Sequence, residues 1–212
     1  TDVGFTGPDR GQGGKYLFLP PGHEGEAPGG YHVVPMRTYR NWLLMRAFVI
    51  DGDLAKTTAH VKQHWRLYPL AEAASPRDPH FVNLSGVQFN TIHANDFSFY
   101  EELNAVIQHE PAEAFNPELL GLWASIGIKK GKPFAPDARM KRILTEAAAV
   151  GNATARALSY RPRGREPYFY DDRQWYTAFV GGRHDFMSNG ELMLDYRTFM
   201  HYMATGITPA MA

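Results

Sequence analysis

The feature that most constrains this chain is the stretch from Gly7 to Gly22, GPDRGQGGKYLFLPPG. Four glycines (Gly7, Gly11, Gly13 and Gly14) fall within eight residues, and the apolar run Tyr16-Leu17-Phe18-Leu19 follows directly. Glycine at that density marks backbone that visits positive φ or packs too closely for a Cβ. The run is short and β-prone, and Pro20-Pro21-Gly22 ends it. The stretch predicts a tight turn feeding a buried strand. A phosphate cradle is the competing reading. A Walker loop requires a glycine five residues before its Gly-Lys pair and Ser or Thr after the lysine, and Asp9 and Tyr16 stand there instead. A dinucleotide loop opens a helix, whereas this one opens a strand. A structural turn that binds no phosphate is the expectation.

Charge and composition exclude several function classes. Lys plus Arg and Asp plus Glu both total 22 in 212 residues, so no long-range field gathers nucleic acid or an anionic membrane. No apolar run approaches the ~20 residues of a membrane-spanning helix. The chain has no cysteine, which removes disulfides, thiolate metal sites and a cysteine nucleophile while staying neutral about compartment. The chain opens on Thr1-Asp2-Val3 without Met and closes on Thr208-Pro209-Ala210-Met211-Ala212, which predicts a piece of a longer protein.

Along the chain, Tyr16–Leu19 and Tyr31 to Met36 read as strands, separated by a loop from His23 to Gly30. Asn41 to Ile50, NWLLMRAFVI, is nearly continuous apolar sequence and predicts a strand buried on both faces. Arg46 interrupts it and, if buried, requires a carboxylate partner. Asp53 is placed to cap a helix from Leu54 to about Trp65. A short strand is expected within Phe81 to Phe89. From Asn95 to Tyr160 the pattern is helical. Ser98 to Glu101 reads as a capping box, Asn116-Pro117-Glu118 as a second helix start stopped by Gly127, and Pro136-Asp137 as a third. Gly151 lies on the apolar stripe of the third helix and predicts a close neighbour there. Ser188-Asn189-Gly190-Glu191 reads as another capping box, opening a helix to about Ala204 that Gly206 stops.

Candidate chemistry is sparse. His60 and His64 have the spacing of two metal ligands, but Val61 replaces the glutamate of the zinc-protease motif and no third ligand is identifiable, so no metal is expected. His93 with Asp96 forms either a general-base pair or a helix-entry hydrogen bond. Arg161, Arg163 and Arg165 form either an anion-binding loop or a solvated one. The aromatic cluster of Tyr168, Trp175 and Tyr176 is either a ligand-binding wall or core. No G-x-S-x-G elbow marks a serine nucleophile.

Four separated motifs carry a resemblance: GPDRGQGGKYLFLPPG, NDFSFYEELNAVIQHEP from Asn95, GIKKGKPFAPD from Gly127, and DYRTFMHYMATGITPAM from Asp195. Together they resemble the domain-of-unknown-function family 1254, whose members are usually followed by a domain of family 1214. The resemblance implies β-sandwich pieces around a helical insert, often in exported bacterial proteins that are periplasmic or extracellular. It implies no reaction and no cofactor.

The expected fold is α+β, with β-sandwich segments flanking a helical insert. Residues 1–94 form the β-rich part, 95–160 the insert, and 161–212 an extended segment with a C-terminal helix leading toward a second domain. The strands are too few to close a sandwich, so the remainder is expected from other segments of the same precursor or from a homo-oligomer. Two functions compete. One is a module that binds a small molecule or glycan, or serves assembly, with Tyr168, Trp175, Tyr176 and Arg161 as ligand candidates. The other is a hydrolase of a small substrate with His93, Asp96 and Arg197 as catalytic candidates.

Overall fold

A computed structural model of the chain describes residues 7–43, 45, 47–90, 92–183, 185–202 and 210–211. Helices and strands are mixed, as an α+β protein requires. Two compact units emerge: residues 1–83 with 109–120, and residues 84–108 with 121–212.

In the first unit the glycine turn does what its composition predicts. Arg10 N–H bonds to the carbonyl of Gly7 at 3.1 Å, Gln12 N–H to that of Asp9 at 2.9 Å, and Gly13 sits at φ 79°. The buried Asp9 carboxylate then accepts from Gly13 N–H at 2.8 Å and from the Tyr16 hydroxyl. The chain leaves this turn as β1 (Tyr16–Leu19). β1 pairs in parallel with β2 (His32–Pro35), Leu17 opposite Val33 and Phe18 opposite Val34. Leu17 and Val34 are the buried side chains of the pair.

Helix α1 (Leu54–His64) starts where Asp53 accepts from Lys56 N–H at 3.0 Å. Thr57 is its buried residue, and the rest of the helix is largely exposed. The segment between β2 and α1 departs from expectation. Among the described residues of 41–50 there is no strand, only an isolated bridge from Ile50 to Asp53. A strand needs a neighbour to take its backbone hydrogen bonds, and none lies alongside among the described residues. Arg46 lies outside the described residues.

The second unit is mainly helical. Within 81–89 only β3 (Gln88–Phe89) is extended, paired antiparallel with β6 (Ala210–Met211). α2 (Ser98–His109) begins without the expected capping box. Ser98 is already helical, and Asp96 supplies the acceptor, taking Ser98 N–H at 2.9 Å. α3 (Pro117–Ser125), whose first turn belongs to the first unit, starts as predicted, with Glu118 N–H on the Asn116 side chain at 2.8 Å, and ends ahead of Gly127 at φ 93°. α4 (Ala138–Tyr160) is capped by Asp137, which accepts from Met140 N–H at 2.7 Å. Ile107, Ile128, Leu144 and Ala148 are buried. Lys130 Nζ donates to the carbonyl of Gln108 at 3.0 Å, placing a cation at the negative end of α2.

Two further expectations are corrected in this unit. A Cβ on Gly151 would meet nothing within 4 Å, so no element approaches α4 there among the described residues. Ser188 to Glu191 is a hairpin and not a helix start: β4 (Met187–Ser188) pairs antiparallel with β5 (Glu191–Leu192). Asn189 and Gly190 both take positive φ, 50° and 82°, which is the backbone of a tight two-residue hairpin turn. Helix α5 (Leu194–His201) follows and packs on α4. The Gly206 stop lies outside the described residues. The described strands form three two-stranded sheets.

Candidate functional site

Among the described residues of the first unit, Trp42, Leu43, Met45, Phe48 and Val49 give the segment from Trp42 to Val49 an exposed apolar surface. The segment is held at both ends. At its start the buried Glu110 carboxylate accepts from Tyr39 N–H at 2.6 Å and Arg40 N–H at 3.1 Å. Arg37 donates to the carbonyl of Ala114 at 2.8 Å, and the Tyr39 ring meets His109 edge-on at 6.1 Å. At its end Ile50 N–H bonds to the Thr57 hydroxyl at 2.8 Å, and that hydroxyl donates to the carbonyl of Asp53. Between these anchors Trp42 is 80% exposed and Phe48 76%, with Leu43, Met45 and Val49 also exposed. No backbone–backbone hydrogen bond involves residues 42, 43, 45, 47 or 49 among the described residues. The segment is a strap that presents large apolar side chains on its described residues.

The glycine turn has no room for the phosphate role. The Asp9 carboxylate already takes the Gly13 N–H, and it would repel an anion brought to the same loop.

The catalytic candidates separate. Asp96 spends its carboxylate on the entry to α2, accepting from the Ser98 hydroxyl at 2.5 Å as well as from its N–H. Those hydrogen bonds hold it below the usual carboxylate range. His93 donates through Nδ1 to the carbonyl of Ala94 at 2.9 Å and stacks on His201, ring centroids 5.7 Å apart at 17°. Burial, then His93, then Arg197 push the His201 imidazole down from its ordinary value. The structure thus joins His93 to His201, which also feels the charge of Arg197, while Asp96 serves the helix. Sequence reasoning missed His201, which lies 108 positions from His93 and, although inside the motif that begins at Asp195, has nothing local that pairs it with His93.

The ligand candidates also part. Tyr176 hydroxyl donates to the carbonyl of Ser159 at the end of α4, and its ring lies 5.1 Å from Phe199 of α5 and 5.4 Å from Tyr168. Burial, then Tyr168, raise the Tyr176 phenol above its ordinary value. Tyr168 and Tyr176 therefore help pack α4 and α5, whereas Trp175 is 73% exposed. In the arginine loop, Arg163 forks onto Asp195 at 2.6 and 2.5 Å, and Arg165 holds the carbonyl of Asp171 at 2.9 Å and lies over the Tyr168 ring. Arg161 is exposed at the end of α4. The His60 and His64 rings lie 4.4 Å apart, tilted by 43°, and no group of three or more metal-ligating side chains occurs among the described residues. None of the described helices is long and apolar enough to cross a membrane.

With this geometry in place, comparison with known proteins is informative for one part of the chain. Residues 2–69 match the model of a family described as a protein of unknown function (DUF1254). That span holds the glycine turn, the β1–β2 pair, the apolar strap and α1. The motifs from Asn95 onward lie beyond the matched residues. No curated protein matches the chain.

Proposed function

We propose that this chain is a non-catalytic assembly module whose strap, Trp42 to Val49, docks a second copy of the same chain. The observation that carries the reading is Trp42, 80% exposed on a segment fixed at both ends. An indole left in water on an anchored backbone is the kind of residue that dominates interface energetics once covered. Two copies meet without net repulsion, because the formal charge of each is zero. A segment whose described residues belong to none of the described sheets suits strand addition, and pairing of that kind would extend toward the sandwich that the family resemblance implies. Export to the periplasm or beyond is proposed on the resemblance alone, and cell fractionation tests it.

Sedimentation velocity on the full chain tests the association. The expected result is a concentration-dependent dimer that Trp42→Lys converts to monomer while the circular dichroism stays unchanged. A parent chain that remains monomeric at high micromolar concentration would overturn the reading.

A further inference from the structure

The second unit holds a feature that the association reading does not use. Between α2 and the turn ahead of α4 lies a recess of about 220 Å³, lined by Phe97, Glu101, Asn104, Phe134, Pro136 and Lys141. Its walls are built from local chemistry. Asp96 fixes the first turn of α2 and so the place of Phe97 beside it. Glu101 and Asn104 are three apart on α2 and share a face. Asp137 starts α4 and sets Lys141 one turn in, Lys141 N–H bonding to the carbonyl of Asp137 at 2.9 Å. Gln108 ties α2 to the loop that leads to Phe134, donating to the carbonyl of Lys129 at 2.8 Å and accepting from Gly131 N–H at 2.7 Å. The lining therefore rests on capped helices and a fastened loop.

The two charged groups in this recess are exposed side chains contributed by different helices. Glu101 and Lys141 carry opposite charges and line the same space, yet no ion pair joins them, and neither has another ionic partner among the described residues. Lys141 Nζ sits 4.8 Å from the centroid of the Phe97 ring, a cation–π contact that holds the ammonium over the aromatic wall. Phe97 and Phe134 lie near-parallel, 15° apart, with centroids 6.2 Å from one another. Asn104 Oδ1 takes a hydrogen bond from Gln108 at 3.0 Å, which leaves its amide N–H groups to donate elsewhere.

Size and charge together define what fits. The volume is below the roughly 300–1,000 Å³ of pockets for drug-sized molecules, so a nucleotide or an oligosaccharide is too large. A ligand with a single charge would answer only one of Glu101 and Lys141. A neutral sugar could hydrogen-bond both but would balance the charge of neither. We propose that the recess binds a free α-amino acid with an apolar side chain. Its ammonium faces Glu101, its carboxylate faces Lys141 and the Asn104 amide, and its side chain packs on Phe134.

Isothermal titration of the full chain with L-phenylalanine and L-leucine tests this, with D-glucose, phenylalanine amide and N-acetylphenylalanine as controls. The amide lacks the carboxylate and the acetylated compound lacks the ammonium. Each is expected to bind about tenfold more weakly than phenylalanine, the loss of one charge-assisted contact. Lys141→Gln should weaken phenylalanine about tenfold and leave the amide nearly unaffected, and Glu101→Gln should do the same for phenylalanine and the acetylated compound. The double exchange of Glu101→Lys with Lys141→Glu should restore binding, which separates charge recognition from damage to the fold. Glucose binding as tightly as phenylalanine would overturn the proposal, as would no binding by any amino acid to a chain whose helical circular dichroism is intact. Both results leave the association of copies through Trp42 untouched, since that reading is measured by sedimentation.

Discussion

Glu110 reaches across 71 positions to accept the backbone N–H of Tyr39 at 2.6 Å, and takes Arg40 N–H with its other oxygen. A buried carboxylate that satisfies two consecutive peptide N–H groups acts as a clasp. It holds the start of the apolar strap in one conformation.

Glu110→Ala is therefore expected to destabilise the first unit by roughly 1.5–3 kcal/mol, the worth of hydrogen bonds to a charged acceptor. Glu110→Gln should cost most of that, because its amide NH2 cannot accept the second N–H. Urea denaturation followed by Trp fluorescence measures both. A change below about 0.5 kcal/mol, the range of ordinary surface substitutions, would show that the clasp does not hold the strap.

The glycine turn yields a second expectation. Asp9→Ala removes the acceptor for Gly13 N–H and for the Tyr16 hydroxyl. Amide hydrogen exchange in β1 and β2 should quicken, with the His32 N–H that bonds to Lys15 as the reporter. Added ATP should protect neither the parent nor the variant. Protection of the parent alone would restore the phosphate reading.

The hairpin at Asn189-Gly190 gives a third. Gly190 sits at φ 82°, and a Cβ there carries the left-handed penalty of about 1–2 kcal/mol. Gly190→Ala should lower stability by that amount, read as a shift in thermal midpoint. Gly151→Ala should stabilise α4 slightly, because an added Cβ meets nothing within 4 Å and alanine favours helix. The two substitutions are the same in composition and opposite in sign.

His201 gives a pH dependence. Its imidazole is pushed below the ordinary 6.5 chiefly by burial, then by His93 and Arg197. The unfolded chain then binds the proton more readily than the folded one, so stability rises with pH between the two values. The contribution is complete above about 6.5 and is lost as pH falls through the lowered folded value. His201→Gln should flatten the acid limb of a stability–pH curve. An unchanged limb would assign the acid sensitivity to other groups.

These elements differ in how far the sequence reveals them. The helices α2, α3 and α4 were legible because apolar spacing and caps are local signals, and Asn116 and Asp137 both cap as read. The Asn189-Gly190 pair carried two local signals at once. Ser188 and Glu191 matched a capping box, yet Asn-Gly is the stronger hairpin mark, and the positive φ of both residues decided the outcome. The strap shows the opposite difficulty. Apolar sequence records a demand for burial and does not say what meets it, so Trp42 reads as core and stands in water. In the recess, Glu101 and Lys141 lie 40 positions apart, and only the fold sets them around one space. The Glu110 clasp is equally silent in sequence, since nothing about a glutamate names its partner.

The parallel pairing of β1 with β2 has a consequence for engineering. Two parallel strands need a crossover to bring the chain back, and here that return runs from Pro20 to Tyr31 without a helix. Its stretch from His23 to Gly30 is mostly exposed and lies outside the pairing register. The entropy of closing such a loop grows slowly, so doubling its length costs only about 0.6 kcal/mol. An epitope tag, a fluorescent reporter or a protease site placed between Glu24 and Gly29 should leave the strand pair intact. The return loop of β1–β2 is thus a ready graft point in the half of the molecule that carries the strap.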